Sequence, residues 1–168
     1  MRLTPTSYVV LGLVRWSPGL SAYELEQTVT STVSEMWTIQ RSQIYKEPAR
    51  LVDAGYLTAS EDQSGRVAKL RYRITESGTT ALDEWLGTSV QQPHVVRDLA
   101  MLKVFFGANP QTLVHDQLKA HRERLASYRV LQAAGSLAPP GPRLALEAAI
   151  AHEETSIRYW TEVVGRGD

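Results

Sequence analysis

The sequence predicts a mainly helical α+β protein, with an N-terminal winged helix-turn-helix that has a two-stranded wing and a C-terminal domain of antiparallel helices. Two observations lead to this prediction. Between residues 42 and 75, a short amphipathic helix is followed at once by two strands joined by a turn. After residue 113, apolar residues recur at alternating spacings of four and three, as in helices that pack along their whole length.

The first helix is predicted from Pro5 to Trp16. Thr4 supplies an acceptor for the free backbone donors of the first turn, and proline fits the first helical position. Val9, Leu13 and Trp16 recur at i, i+4 and i+7. We therefore expect these three side chains to face the core.

A second helix follows the Ser-Pro-Gly break at residues 17–19. Ser21 and Glu24 fit a capping box, in which each side chain satisfies a free backbone donor at the helix start. Polar residues from 30 to 34 then form a connection to the third helix. The residues expected to face inward are Ala22, Leu25 and Val29.

The third helix is predicted to start at a Ser42 cap and to end at Gly55, which can adopt the left-handed conformation. Its inner stripe consists of Ile44 and Leu51, with Ala54 at the edge. The fourth helix is predicted to start at a Thr75 cap and to run through Ala81, Leu82, Trp85 and Leu86.

Pro48 lies inside the third helix. A proline there removes one hydrogen bond and clashes with the preceding turn, which costs about 3 kcal/mol, and it disfavours helical geometry at Glu47. Two arrangements are open: the helix kinks near Ile44, or its regular part starts around Glu47 and the preceding residues form a looser turn. The choice decides which of Gln43 and Lys46 reaches the edges of bases.

Residues 69–74 alternate strictly between basic and apolar side chains, which is typical of a strand with one buried face. Ser64 and Gly65 supply the turn, and Arg66 lies at the tip. An ordinary amphipathic hairpin with solvated basic residues is the alternative, but the adjacent third helix favours a wing. The basic residues are Lys69, Arg71 and Arg73, and the apolar residues are Leu70, Tyr72 and Ile74.

A short polar helix beside a cationic hairpin has the parts needed to enter a DNA major groove and to bind the flanking phosphates. Among the basic residues of the wing, Arg73 is the one most readily interpreted as solvent-exposed without a contact to DNA. The candidates for base edges are Ser42 and Gln43. The candidates for phosphates or guanine are Arg41, Tyr45, Lys46 and Arg50, and the candidates on the wing are Arg66, Lys69 and Arg71.

Several short motifs resemble those of the PadR family of bacterial transcriptional regulators, and the resemblance covers nearly the whole chain. Lys46 departs from the family pattern, because many members have proline directly after the tyrosine. The resemblance implies a homodimer whose winged helix binds operator DNA, usually as a repressor, and whose C-terminal helices dimerise. It also implies that the Tyr45 hydroxyl is directed at a phosphate. The motifs are Tyr45, Arg50-Leu51, Gly55-Tyr56-Leu57, Tyr72-Arg73-Ile74-Thr75 and Gly78.

Members of this family often sense hydrophobic small molecules, so the resemblance also implies an effector pocket. Aromatic side chains near the expected dimer interface are candidates for lining it, although aromatic residues at helical spacing usually belong to the core. These candidates are Trp85, Phe105, Phe106, Tyr159 and Trp160.

A domain boundary is predicted in the linker at residues 87–93, which divides the chain into residues 1–88 and 89–168. A helix that ends at Gly107 should bury Val95, Leu99, Leu102 and Phe106, and Asn109-Pro110 starts the next helical segment. Two long helices follow. Their predicted stripes are Val114, Leu118, His121, Leu125 and Tyr128, and Leu146, Ile150, Glu153, Ile157, Trp160 and Val164.

Two long helices joined by a short Pro/Gly loop are expected to pack antiparallel, and a partner chain would complete their small core. A three-helix bundle within one chain is the alternative. His121 and Glu153 lie on the apolar stripes, where we interpret them as edge residues or a satisfied polar pair and not as metal ligands.

Charge gives only local support for a nucleic-acid partner. The chain has no net charge, and residues 1–90 contain nine Lys and Arg against ten Asp and Glu. Between residues 37 and 75, however, the chain has seven basic residues and only four acidic ones. We therefore expect salt-sensitive binding that needs two copies of the domain and an inverted-repeat operator in double-stranded DNA. A winged helix that binds another protein is the alternative.

The remaining features narrow the class of protein. The chain has no cysteine, which excludes disulfides and thiolate metal sites and suits a cytoplasmic protein. No apolar stretch approaches the ~18 residues of a membrane span. The sequence shows no metalloprotease motif, nucleophile elbow or phosphate-binding loop, so we predict neither an enzyme nor a cofactor.

Overall fold

The computed structural model describes residues 2–33, 37–63, 68–91, 98–135 and 140–165. The chain divides into two compact units, Met1–Gln92 and Pro93–Asp168, which we call the winged-helix unit and the helical unit. The boundary predicted after residue 88 lies close to this division. Within the described residues, the protein is mostly helical with one two-stranded antiparallel sheet, as predicted.

Local caps determine where most helices of the winged-helix unit begin and end. Thr4, Ser21 and Thr75 cap their helices as predicted, and Ser21 forms the predicted capping box with Glu24. Thr4 also forms a capping box, with Ser7, which was not predicted. The cap predicted at Ser42 is wrong, because the N-cap residue of the third helix is Gln40, two residues earlier, and its side chain forms no capping hydrogen bond. The elements are α1 (Pro5–Trp16), α2 (Ala22–Thr32), α3 (Arg41–Asp53), β1 (Leu57–Asp62), β2 (Lys69–Ile74) and α4 (Glu76–Gly87).

α3 is helical on both sides of Pro48, so the arrangement with a looser turn before Glu47 is wrong. Pro48 is itself buried, which allows packing on neighbouring elements to hold the turn that lacks one hydrogen bond. Gly55 ends the segment with φ +78°, which confirms the predicted left-handed residue.

The winged-helix unit has one core to which every one of its elements contributes. Leu13 is buried and Val9 packs on this core while partly buried, as predicted, but the expectation that Trp16 faces the core is wrong, since Trp16 is half exposed. α1 contacts α2, α3, α4 and β2, so it buries a broad arc of side chains and not a single stripe. The buried residues are Val10, Leu11, Leu13, Val14, Leu25, Val29, Ile44, Leu51, Leu57, Tyr72 and Leu82.

The hairpin pairs Leu57 with Ile74 at its base and Asp62 with Lys69 towards its tip. Residue Leu20 forms an additional bridge with Tyr72, which attaches the α1–α2 loop to β2. Tyr72 is buried as predicted, but Leu70 is 47% exposed because the hairpin extends beyond the helices that cover its base. The predicted turn at residues 64 and 65 and the predicted tip residue Arg66 lie outside the described residues.

The described residues 98–135 and 140–165 of the helical unit form one short and two long helices. Gly107 (φ +96°) follows the short helix, and Asn109 caps the 3-10 turn, as predicted. The long helices are antiparallel, because the start of one packs on Trp160 near the end of the other, and Tyr128 packs on Leu146. The elements are α5 (Leu99–Phe105), a 3-10 turn (Pro110–Thr112), α6 (Val114–Ala133) and α7 (Pro140–Gly165).

The stripe predicted on α5 is not buried. Leu99, Leu102, Phe105 and Phe106 are all more than half exposed, and the side chain that packs into the unit is Ala100. α5 has only seven residues, so it covers little of the long helices and leaves its larger side chains outside. Val95 lies outside the described residues. On α7 the buried residue near the end is Val163 and not the predicted Val164.

The described residues contain neither a membrane-spanning helix nor a cluster of metal-binding side chains. None of the helices found there combines the length and the apolar character needed to cross a membrane. The same residues contain no group of three or more His, Asp or Glu side chains arranged to hold a metal ion.

Candidate nucleic-acid interface

The exposed face of α3 carries most of the side chains predicted to contact DNA. α3 buries Ile44, Glu47, Pro48 and Leu51 against the winged-helix core, and this fixes which side of the helix faces outwards. The predicted residues on the outward side are Arg41, Ser42, Gln43, Tyr45 and Lys46.

Arg41 is held on this face by two neighbours. Its Nε atom lies 3.3 Å from Oε1 of Glu26 on α2, and its guanidinium carbon lies 5.8 Å from the centroid of the Tyr45 ring. A hydrogen bond with Tyr45 and the charge of Glu26 raise the pKa of the Arg41 guanidinium. The three side chains therefore form a connected surface at the start of α3.

Arg50 is not part of the exposed face, although it was predicted to contact phosphate or guanine. Its Nε and Nη2 atoms donate to the two carboxylate oxygens of Glu47 at 2.9 and 2.5 Å. Nη2 also lies 3.0 Å from Oγ of Ser7 on α1. The hydrogen bond to Glu47 raises the pKa of Arg50. This guanidinium is thus engaged within the protein.

Arg71 on the wing is engaged in a similar way. Its Nη1 atom donates to Oε2 of Glu24 at 2.5 Å and its Nε atom to Oδ2 of Asp62 at 3.0 Å. Nη1 also donates to the Gly19 carbonyl. Arg71 therefore fastens the wing to the start of α2, while Lys69 and Arg73 remain exposed.

Glu24 has two roles, of which the sequence revealed only one. Its carboxylate accepts from the backbone N–H and hydroxyl of Ser21, as the capping box requires, and it also accepts from Arg71. The hydrogen bonds from Ser21, followed by those from Arg71, lower the pKa of Glu24 from 4.5 to about 2. The carboxylate is therefore ionised over the whole physiological range.

Sequence reasoning also missed Ser7 and Glu47. Ser7 is fully buried and donates from Oγ to Oε1 of Glu47 at 2.6 Å. The spacing of Glu47 and Arg50 at i and i+3 was a usable signal for the ion pair. Nothing in the sequence pointed to Ser7, which lies 40 residues before Glu47 in the chain.

Comparisons with known proteins match both halves of the chain. Residues 10–84 match the model of the Transcriptional regulator PadR-like family, and residues 96–166 match the model named Virulence activator alpha C-term. The Negative transcriptional regulator PadR of Bacillus subtilis (strain 168) is 30% identical over 176 residues, which cover 96% of each chain.

The chain belongs to the PadR-like family of transcriptional regulators.

Solved structures agree with this assignment. B. subtilis PadR in complex with operator DNA is similar with a TM-score of 0.85 and 28% identity, over 96% of this chain and 98% of that one. The same protein in complex with p-coumaric acid is similar with a TM-score of 0.79 and 26% identity, over 98% of both chains. The Vibrio cholerae virulence activator AphA shares the fold, with a TM-score of 0.72 and 22% identity over 96% of both chains.

The aromatic residues predicted to line an effector pocket in this PadR-like protein are divided between its two units. Trp85 belongs to the winged-helix unit, where its ring stacks on Tyr8 at a centroid distance of 4.5 Å. Both rings line an apolar cleft of about 180 Å³ between α1 and α4, together with Gly12, Trp16 and Leu86.

The other four aromatic residues belong to the helical unit. Phe105 and Phe106 contact each other edge to face and are highly exposed. Tyr159 contacts Trp160 edge to face, but Trp160 is fully enclosed in the core with Ala100 and Val163. Trp160 therefore lines no open surface in this conformation.

His121 and Glu153 form the satisfied polar pair that was one of the two interpretations of these residues. His121 Nδ1 lies 2.5 Å from Oε2 of Glu153, and Arg124 Nη1 lies 3.5 Å from Oε1 of the same carboxylate. Glu153 is almost fully buried between α6 and α7. The contact joins the two long helices near their middle.

Proposed function

We propose that this protein is a dimeric transcriptional repressor that binds an inverted-repeat operator and is released by a hydrophobic small molecule. The exposed face of α3 carries this proposal. It presents polar and basic side chains beside a two-stranded wing, on a chain that is similar over nearly its whole length to operator-bound B. subtilis PadR. We further propose that the protein acts in the cytoplasm and has no catalytic activity, in keeping with a family of transcriptional regulators.

The side chains of α3 differ in what they can recognise. The Gln43 amide can form a pair of hydrogen bonds with adenine, and the Ser42 hydroxyl can donate or accept at either kind of base. Arg41 and Lys46 supply positive charge for phosphates or guanine, and the Tyr45 hydroxyl can donate to a phosphate. We assign Lys69 on the wing to the phosphates beside the major groove.

Dimerisation is supported by the apolar surface of α5. Leu99, Leu102, Phe105 and Phe106 are exposed in the single chain, and a second copy would remove them from water. A two-fold dimer would place two α3 helices roughly 34 Å apart, one turn of DNA, which requires an inverted repeat. A mass of one chain at micromolar concentration in sedimentation equilibrium would contradict this part of the proposal.

The salt dependence of DNA binding tests the proposed function. The probe is the double-stranded fragment directly upstream of the reading frame for this protein, used in an electrophoretic mobility shift assay. Six to ten phosphate contacts predict a loss of affinity of roughly a thousandfold or more between about 50 and 200 mM salt. If neither this fragment nor duplexes enriched from a random pool were retained at low salt, the proposal would be wrong.

A winged helix that binds another protein is the second candidate function. The internal ion pairs of Arg50 and Arg71 favour it, because they remove two positive charges from the predicted DNA surface. Lys46→Ala discriminates between the two functions. A DNA-binding protein should lose affinity for DNA in this variant, whereas an interaction module should show unchanged DNA retention and a weakened protein contact.

p-Coumaric acid is a suitable first probe for the effector, because B. subtilis PadR has been solved in complex with it. We propose that an aromatic effector contacts Trp85 in the cleft between α1 and α4, or the exposed rings of α5. Isothermal titration calorimetry should show binding by the wild type and weaker binding by Trp85→Ala if the cleft is the site. An effector role also requires that the compound lower the affinity for the upstream fragment.

A further inference from the structure

Ser7, Glu47 and Arg50 form a polar cluster between α1 and α3, which we call the α1–α3 clasp. The Ser7 hydroxyl donates to Oε1 of Glu47 at 2.6 Å. Arg50 donates to both carboxylate oxygens of Glu47 and, at 3.0 Å, to Oγ of Ser7. The three side chains thus contact each other in a closed triangle.

The hydroxyl and the carboxylate of the clasp are buried, the Arg50 side chain is 38% exposed, and the two charges are matched. Ser7 is fully buried and Glu47 is 8% exposed. A carboxylate in such surroundings requires a charged partner and further hydrogen bonds, and Arg50 and Ser7 supply both. The Nε and Nη2 atoms of Arg50 therefore already bind a buried anion, and Glu47 balances the charge of Arg50 before any phosphate approaches.

The clasp lies at the turn of α3 that contains Pro48. Glu47 directly precedes Pro48, which removes one backbone hydrogen bond from this turn. Gln43 and Lys46 are exposed on the same part of the helix. Ser7 is in turn held at the start of α1, because the Thr4 backbone N–H donates to its Oγ atom at 2.8 Å. The clasp therefore connects the weakened turn of α3 to a fixed helix end.

We infer that Ser7, Glu47 and Arg50 are positioning residues that fix the DNA-reading face of α3 and that Arg50 does not contact a phosphate. This inference rests on the proposed function. In this view, the buried carboxylate of Glu47 contributes to the discrimination between DNA sequences by holding α3 in place. Arg50, which was predicted to contact DNA, binds Glu47 instead.

Phosphate contact and positioning have different signatures in DNA binding. Loss of a phosphate contact weakens binding to all sequences alike and reduces the slope of log affinity against log salt concentration by about 0.9. Loss of positioning weakens the selected sequence more than other sequences and leaves the slope unchanged, because no counterion is released by an internal ion pair. The two measurements together therefore separate the two roles.

The test uses the full-length protein, a duplex enriched by the wild type from a random-sequence pool, and a scrambled duplex of the same composition. The variants are Glu47→Gln, Arg50→Ala and Ser7→Ala, and Lys46→Ala is the matched control on the exposed face. For Glu47→Gln and Arg50→Ala, we expect the affinity for the selected duplex to fall about tenfold or more. The affinity for the scrambled duplex should fall less, and the salt slope should equal that of the wild type. Lys46→Ala should lower the slope, because this charge is exposed, and as a phosphate contact it should weaken both duplexes equally.

Ser7→Ala is included because this variant should still fold if the other two do not. It removes one hydroxyl and leaves the ion pair between Glu47 and Arg50 in place. Helical content and thermal unfolding are measured for each variant, and DNA binding is compared only between folded proteins. Ser7→Ala should show the same pattern as Glu47→Gln with a smaller loss.

Several outcomes would overturn the inference. A salt slope reduced by Arg50→Ala as much as by Lys46→Ala would show that Arg50 contacts a phosphate. Tighter binding by Glu47→Gln would show that Glu47 only masks a DNA-binding arginine, and unchanged discrimination in all three clasp variants would exclude positioning. In each of these cases the wild type still binds, so the proposed function stands. A wild type that enriches no duplex would instead overturn the proposed function and this inference with it.

Discussion

The winged-helix unit and the helical unit differ in how they bury apolar side chains. In the part of the winged-helix unit that the structure describes, eleven buried residues from six elements form one cluster. Among the described residues of the helical unit, the buried side chains form two clusters of three, and the large side chains of α5 remain exposed. The winged-helix unit therefore forms a complete core by itself. In the helical unit, the apolar side chains of α5 remain in contact with water unless a partner molecule covers them.

Separating the two units should produce the largest effect. A fragment of residues 1–91 should unfold cooperatively, because its core is complete, yet its affinity for the upstream DNA fragment should fall by about a hundredfold or more. Two linked half-site contacts gain an effective concentration that a single domain lacks. Circular dichroism and mobility shift assays measure the two properties. A fragment that bound as tightly as the whole chain would contradict the dimer.

Leu51→Ala tests the complete core of the winged-helix unit. Leu51 is fully buried, so its truncation should lower the free energy of unfolding by about 2–5 kcal/mol. Leu70→Ala on the half-exposed part of the wing is the matched control and should change it by no more than about 0.5 kcal/mol. Urea denaturation of both variants gives the comparison, and equal effects would mean that the core is not where the structure places it.

Phe105→Ser combined with Phe106→Ser tests the open surface of the helical unit. If these rings lie between two copies, their replacement should raise the dissociation constant of the dimer by at least about tenfold, since aromatic anchors each contribute on the order of 2 kcal/mol at interface centres. Tyr23→Ser, on an exposed part of α2, is the control. Sedimentation velocity measures the effect, and an unaltered dimer would place the interface elsewhere.

Protonation of Glu24 should give the smallest effect, a loss of stability that is confined to the winged-helix unit. Because hydrogen bonds from Ser21 and Arg71 lower its pKa from 4.5 to about 2, its stabilisation is fully present above pH 4.5. That stabilisation should be lost as the pH falls from 4.5 towards 2. Solvent screening at this partly exposed site limits it to on the order of 1 kcal/mol.

The free energy of unfolding of the wild type and of Glu24→Gln, measured between pH 2 and 7, tests this expectation. The difference between the two proteins should be largest near neutral pH and should vanish near pH 2. A difference that does not depend on pH would mean that the Glu24 charge has no part in holding the wing.

Features set by residues close together in the chain could be predicted from the sequence. The caps at Thr4, Ser21 and Thr75 depend on side chains within three residues of the helix start, and all three were predicted correctly. Gly55 and Gly107 ended their segments for the same local reason. The family was also evident from the short motifs of the third helix and the wing.

Features set by distant residues could not be predicted. Arg71 was interpreted as a free cation because its partner Glu24 lies 47 residues away in the chain, and the contact of Arg50 with Ser7 spans 43 residues. The pairing of Arg50 with Glu47 is local and could have been predicted from their spacing. The inner stripe predicted on α1 was too narrow, because several elements pack on this helix at once and also bury Val10, Leu11 and Val14. The stripe of α5 was identified correctly as apolar, but the sequence could not show that a single chain leaves it uncovered.

The tryptophans are distributed so that the protein carries its own optical probes. Trp16, Trp37 and Trp85 in the winged-helix unit are about half exposed, whereas Trp160 in the helical unit is 1% exposed. Acrylamide should therefore quench the fluorescence of the first three readily and that of Trp160 only when the helical unit opens. The unquenched blue-shifted emission thus reports on the helical unit alone, without any label.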